Sequence, residues 1–193
     1  FEKKIDTFLS NYPSYFRYLP VRILNNCILL PIVANNQDTA LQIFSTLNNR
    51  GKPLSDADIF KSQFYKYYTS IGQKDDFIKK WKELEFLSSE AFKGVKGNST
   101  DELFTRYMYY RRAIKGNTDT TRTSLRKFYE RDNYVILKEQ QTLIDLKALA
   151  EFWRDVRKQD EERFSNRILR RLFVLNCAPN GKWNYLVSVC FLC

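Results

Sequence analysis

The chain is 193 residues long, 44% hydrophobic and 28% charged, a balance that supports a folded core and excludes a disordered polyelectrolyte. Lys and Arg number 32 against 22 Asp and Glu, a net charge of +10 that favours polyanionic partners. There is no histidine, which removes histidine-based acid–base catalysis, Ser–His and Cys–His nucleophile pairs and the usual His-containing metal sites.

The predicted elements run in chain order as follows. Residues 2–11 carry Ile5, Phe8 and Leu9 at helical spacing, and Pro13 closes that helix. Residues 14–25 read as helical despite Pro20. Cys27-Ile-Leu-Leu-Pro-Ile-Val-Ala34 reads as the one strand, placed at an edge by Pro31. Asp38 or Thr39 caps a helix with Leu41, Phe44 and Leu47 on its apolar face; Gly51 ends it and Pro53 bars its continuation. Ser55-Asp-Ala-Asp58 is a capping box that opens a helix to about residue 70. Further helices are predicted over 75–92, 100–115, 121–132 and 137–158. Another is expected to start at the acidic Asp160–Glu162 and run to Asn176, and a last one to begin near Trp183. The Gly-rich polar stretch 93–100 is the clearest loop and divides the chain into expected regions 1–92 and 99–193. The expected class is mainly α, a multi-helix array with one short β element.

Few Gly (6) and Pro (5) fit that class, and no apolar run approaches the roughly 18 residues of a membrane span. The cysteines at 27, 177, 190 and 193 make no dense disulfide framework, so a reduced, cytoplasmic setting is expected. Cys190 and Cys193 have CxxC spacing but apolar neighbours, and no metal site is expected there. Gly94–Thr100 lacks the spacing of a phosphate loop. The sequence opens at Phe1 without a methionine, shows no signal-peptide pattern, and stops at Cys193 inside an apolar run, so the chain is expected to be a fragment of a longer protein.

Two stretches carry functional signals. In the first, Arg50 and Lys52 flank the turn glycine Gly51, ahead of a helix whose first-turn N–H groups could meet a phosphate. The pattern Ile-Phe-x-x-Leu-Asn-x-Arg-Gly-x-x-Leu-x-x-x-Asp, Ile43 through Asp58 here, resembles the signature of the GmrSD-type restriction endonuclease N-terminal domain (domain of unknown function 262). The close resemblance covers about residues 27–66. It implies a larger protein, ParB/sulfiredoxin-like at its start and helical beyond, that uses a nucleotide triphosphate with magnesium to control cleavage of modified DNA in prokaryotic defence. The Asp-Gly-Gln-Gln-Arg motif of that family is not in this sequence, and its His-Asn-His nuclease domain is excluded by the missing histidines. The resemblance therefore implies that region 1–92 is the later part of the N-terminal domain and 99–193 its helical extension. Catalytic residues and a bound cofactor are not expected here; the partners are DNA and the remaining parts of the parent protein. Asn48, Arg50, Gly51 and Asp58 carry the family signature and are its possible nucleotide-binding positions.

In the second stretch, eight basic residues lie between 106 and 131: Arg106, Arg111, Arg112, Lys115, Arg122, Arg126, Lys127 and Arg131, opposed only by Asp119 and Glu130. Tyr107, Tyr109, Tyr110, Phe128 and Tyr129 interleave, a pattern suited to phosphate neutralisation with base stacking. The same pattern also describes solvated helix faces whose aromatics point to the core. A further cluster, Arg163, Arg167, Arg170 and Arg171, is expected to serve helix stability behind Asp160–Glu162. A nucleic-acid-binding module or a protein-interaction scaffold without enzymatic coupling is the alternative to a part of a restriction protein.

Overall fold

A computed structural model describes residues 2–27, 33, 39–40, 43, 55–118, 124–178 and 180–193. The protein is mainly helical, and none of the described residues lies in a strand. The expected strand at 27–34 falls almost wholly outside the described residues, as does most of the helix expected from Thr39. Two compact units are present, Phe1–Phe44 and Ser45–Cys193.

In the first unit, α1 (Glu2–Asn11) ends before Pro13, which opens a 3-10 turn over Pro13–Arg17. Helix α2 (Leu19–Asn26) tolerates Pro20 because its first turn needs no donor there. Phe8, Tyr12 and Tyr15 meet edge to face or tilted, with centroids 5.3–6.2 Å apart.

The second unit contains α3 (Asp56–Ser70), α4 (Lys74–Ala91), α5 (Ser99–Ile114), α6 (Leu125–Glu130), α7 (Gln140–Lys158), α8 (Asn166–Asn176) and α9 (Trp183–Leu192). Its core is aromatic because the helices bring aromatics inward at i, i+4 spacing. Phe60, Phe64 and Tyr68 come from α3, Phe77 and Trp81 from α4, and Phe104 from α5. Phe60 touches Phe104 and Tyr129 at 4.9 and 4.7 Å between centroids. The buried Tyr129 hydroxyl donates to the Phe104 carbonyl at 2.9 Å, so its one polar atom is satisfied. Each of these buried rings contributes on the order of 3–5 kcal/mol when compared with alanine.

Helices α4 and α7 pack along each other, and α5 lies against both. The loop at 93–98 lies inside this unit, and residues before it and after it share one core. Helix α9 is held to α5 and α7 by Tyr185 stacked on Tyr109 at 4.4 Å and Phe191 on Phe152 at 4.3 Å. Trp153 Nε1 also donates to Ser188 Oγ at 2.9 Å.

Between α6 and α7 the chain makes a left-handed turn. Asp132, Asn133 and Tyr134 have φ of 51°, 54° and 59°. A 3-10 turn over Val135–Lys138 follows and buries Ile136 and Leu137. The helix expected over 137–158 therefore begins at Gln140. The helix expected from Asp160 also begins later, at Asn166. Gln159 closes α7 in a left-handed conformation (φ 53°), and the Asp160 carboxylate accepts the N–H groups of Glu162 and Arg163 at 3.0 and 3.2 Å. Its acid thus shapes a turn, and the first turn of α8 holds no acidic residue.

Candidate nucleic-acid interface

Asn48, Arg50 and Gly51 lie outside the described residues, while Asp58 is placed in full. Its carboxylate accepts from the Ser55 backbone N–H at 3.1 Å and the Ser55 hydroxyl at 2.7 Å, and Ser55 Oγ in turn accepts from Asp58 N at 3.2 Å. That is the capping box read from the sequence. The first-turn N–H groups expected to be free for a phosphate are therefore used within the chain. Asp101, from the start of α5, supplies the other cap: its carboxylate accepts from Ala57 N at 2.7 Å across 44 residues of sequence. Burial raises the Asp101 pKa against the opposing pull of the Ala57 hydrogen bond. With Asp56, Asp58 and Asp101 gathered there, this helix end is acidic, and Arg126 Nε answers it by donating to Asp56 Oδ1 at 3.0 Å.

The basic stretch 106–131 is divided by the fold. Arg106 is 5% exposed, with its guanidinium carbon 4.5 and 4.1 Å from the Phe92 and Trp153 ring centroids and its Nε on Glu102 at 2.9 Å. Burial lowers its pKa, opposed by Glu102. Arg106 is thus a core residue and not part of a DNA-facing surface. Its register explains why: with Leu103, Tyr107 and Tyr110 it falls at i, i+3, i+4 and i+7, the apolar stripe of α5.

Arg111 forms a two-pronged pair with Glu139, Nη1 to Oε2 at 2.6 Å and Nη2 to Oε1 at 2.9 Å. Burial opposes its charge, but the hydrogen bonds of Glu139 and Tyr107 raise its pKa. The Tyr107 hydroxyl beneath it donates to Asp145 at 3.1 Å, and burial drives that phenol up to about 12. Arg112 is half-buried, 5.9 Å from the Tyr109 ring. Lys115, Lys127 and Arg131 are exposed, and Arg122 lies outside the described residues. The interleaved aromatics are structural: Tyr107, Phe128 and Tyr129 are buried, and Tyr109 is stacked on Tyr185.

The second arginine cluster behaves differently. Arg163 pairs with Asp155, whose carboxyl also accepts from Arg154 Nε at 2.7 Å. Burial of Asp155 would raise its pKa, but these two guanidiniums hold it below the usual carboxylate range. Arg167, Arg170 and Arg171 on α8 are exposed, and no described carboxylate pairs with any of them. Together with Asn166 they line one shallow depression. The sequence signal was present in the i, i+3, i+4 spacing, but the acidic run before it pointed to self-stabilisation.

Among the described residues no group of three His, Cys, Asp or Glu could hold a metal ion. All four cysteines are free and exposed, and no described helix is long and apolar enough to cross a membrane. No protein-family model, no curated protein and no solved structure matches the chain.

Proposed function

We propose that this chain is the nucleic-acid-contacting helical part of a nucleotide-dependent, modification-sensing DNA restriction protein of the GmrSD type, acting in the cytoplasm of a prokaryote. The observation that carries DNA contact is the row Arg167, Arg170 and Arg171: three exposed guanidiniums on one helix with no carboxylate among the described residues to neutralise them. Lys115, Lys127 and Arg131 add exposed charge in the same compact unit. Phosphate neutralisation is the chemistry such groups perform, and counterion release makes it salt-dependent. The link to restriction rests on the Ile43–Asp58 signature, with a short β element before it and a ParB/sulfiredoxin-like part in the parent protein. In that reading Asn48, Arg50 and Gly51 serve the nucleotide side, and Asp58 serves it indirectly by fixing the start of α3. Nucleotide with magnesium, and catalysis, belong to other parts of the parent protein.

Fluorescence anisotropy of a duplex across a salt series tests the DNA contact. Wild type is expected to bind with a steep salt slope. Arg167→Gln/Arg170→Gln/Arg171→Gln is expected to reduce that slope by about 2–3, since each phosphate contact accounts for roughly 0.9. Equal slopes in both proteins, or no binding at low salt, would overturn it.

One observation favours a second reading, an interaction scaffold. On the same α8, Ile168, Phe173 and Val174 are 47%, 59% and 68% exposed, an apolar surface that phosphate contact does not use. Loss of protein co-purification on Phe173→Ser/Val174→Ser, with DNA binding absent, would select that reading.

A further inference from the structure

A cleft of about 490 Å³ lies beside Arg106, floored by Phe92 and Trp153 and walled by Leu172 and Phe173 of α8 and Trp183 of α9. Its volume is that of small-molecule sites in general. The Arg106 guanidinium carbon lies 4.5 Å from the Phe92 ring centroid and 4.1 Å from that of Trp153, so two rings pack against the group. The Nε edge is taken by Glu102, while Nη1 is buried and has no hydrogen-bond partner. A charged donor buried without an acceptor is among the costliest arrangements in a protein interior. The arrangement persists at a cost that an incoming acceptor would remove.

The lining narrows the chemistry of that acceptor. Arg157 also borders the cleft, its Nη1 on the Lys93 carbonyl at 2.5 Å, and no carboxylate is among the described residues that line it. Glu102 pairs with Arg106, and among the described residues no carboxylate pairs with Arg157. The remaining walls are largely aromatic and aliphatic. We propose that this cleft binds a small organic anion with an apolar body, an aryl or branched-chain carboxylate, whose oxygens meet the guanidinium edge of Arg106 while its body packs against Trp153, Trp183 and Phe173. Inorganic phosphate would meet the charge without using the walls, and an amide would use the walls without the charge.

Isothermal titration of the 193-residue chain with 1-naphthylacetate, 1-naphthylacetamide and inorganic phosphate separates these cases. The carboxylate is expected to bind at least about tenfold more tightly than either control. Arg106→Met, which keeps the apolar stem, is expected to abolish the preference of carboxylate over amide. Phe173→Glu at the exposed lip is expected to weaken the carboxylate about tenfold while leaving melting unchanged, and it decides the matter if Arg106→Met does not fold. No carboxylate binding at about 1 mM, equal affinity for acid and amide, or a preference that survives either variant would overturn the proposal.

Discussion

Helices α5 and α8 carry three arginines each and use them in opposite ways. On α5, Arg106 is buried against two rings and Arg111 is clamped by Glu139, so the charge is part of the packing. On α8, Arg167, Arg170 and Arg171 stand in solvent while Leu169 and Leu172 are its buried side chains. Position relative to the apolar stripe, and the presence of an acid on a neighbouring element, decide which fate an arginine meets. Local charge density decides neither.

The contrast can be broken most severely at its buried end. Arg106→Glu places a buried carboxylate beside Glu102 and against two rings, and is expected to cost about 3–5 kcal/mol in denaturant unfolding. A cost near that of a surface substitution would erase the distinction between the helices. Next, Arg111→Met is expected to cost about 1–3 kcal/mol, and a double-mutant cycle with Glu139→Gln to return most of it as coupling. Additive losses would mean that the pair contributes nothing jointly.

Tyr107, under that pair, sharpens the comparison through pH. Its folded pKa of about 12 exceeds the unfolded value near 10, so the folded chain keeps a proton that the unfolded chain loses. The resulting stability is intact below about pH 10 and lost between 10 and 12; Tyr107→Phe is expected to flatten that alkaline limb in pH-dependent melting. Ser55→Ala, which opens the cap of α3, is expected to cost about 1 kcal/mol. The smallest effect belongs to α8: Arg170→Gln is expected to change stability by less than about 0.5 kcal/mol, read from the urea midpoint.

Much of the helical layout was legible because apolar residues recur at 3.6 spacing and because caps have local signatures. Ser55 and Asp58 announce the start of α3 within four residues. The Arg106 stripe was legible as well, since Leu103, Arg106, Tyr107 and Tyr110 follow the core period. Charge counting overrode it. Contacts that span long separations left no local trace. Glu139 meets Arg111 across 28 residues and Asp101 caps α3 across 44, and only the packed core brings them together. The delayed start of α8 was hidden for a different reason: an acid before a helix caps it in one backbone conformation and makes a turn in another, and the left-handed Gln159 selects the turn.

The left-handed run Asp132–Tyr134 has a consequence for chirality. Three successive L-residues there trace the mirror image of a helical turn. Right-handed winding therefore cannot pass from α6 into α7. Without that reversal the segment from Leu125 to Lys158 could wind as one rod of about 50 Å, longer than the core is wide. The inverted turn splits the rod into a short arm and a long one, and lets Ile136 and Leu137 drop into the core at the break.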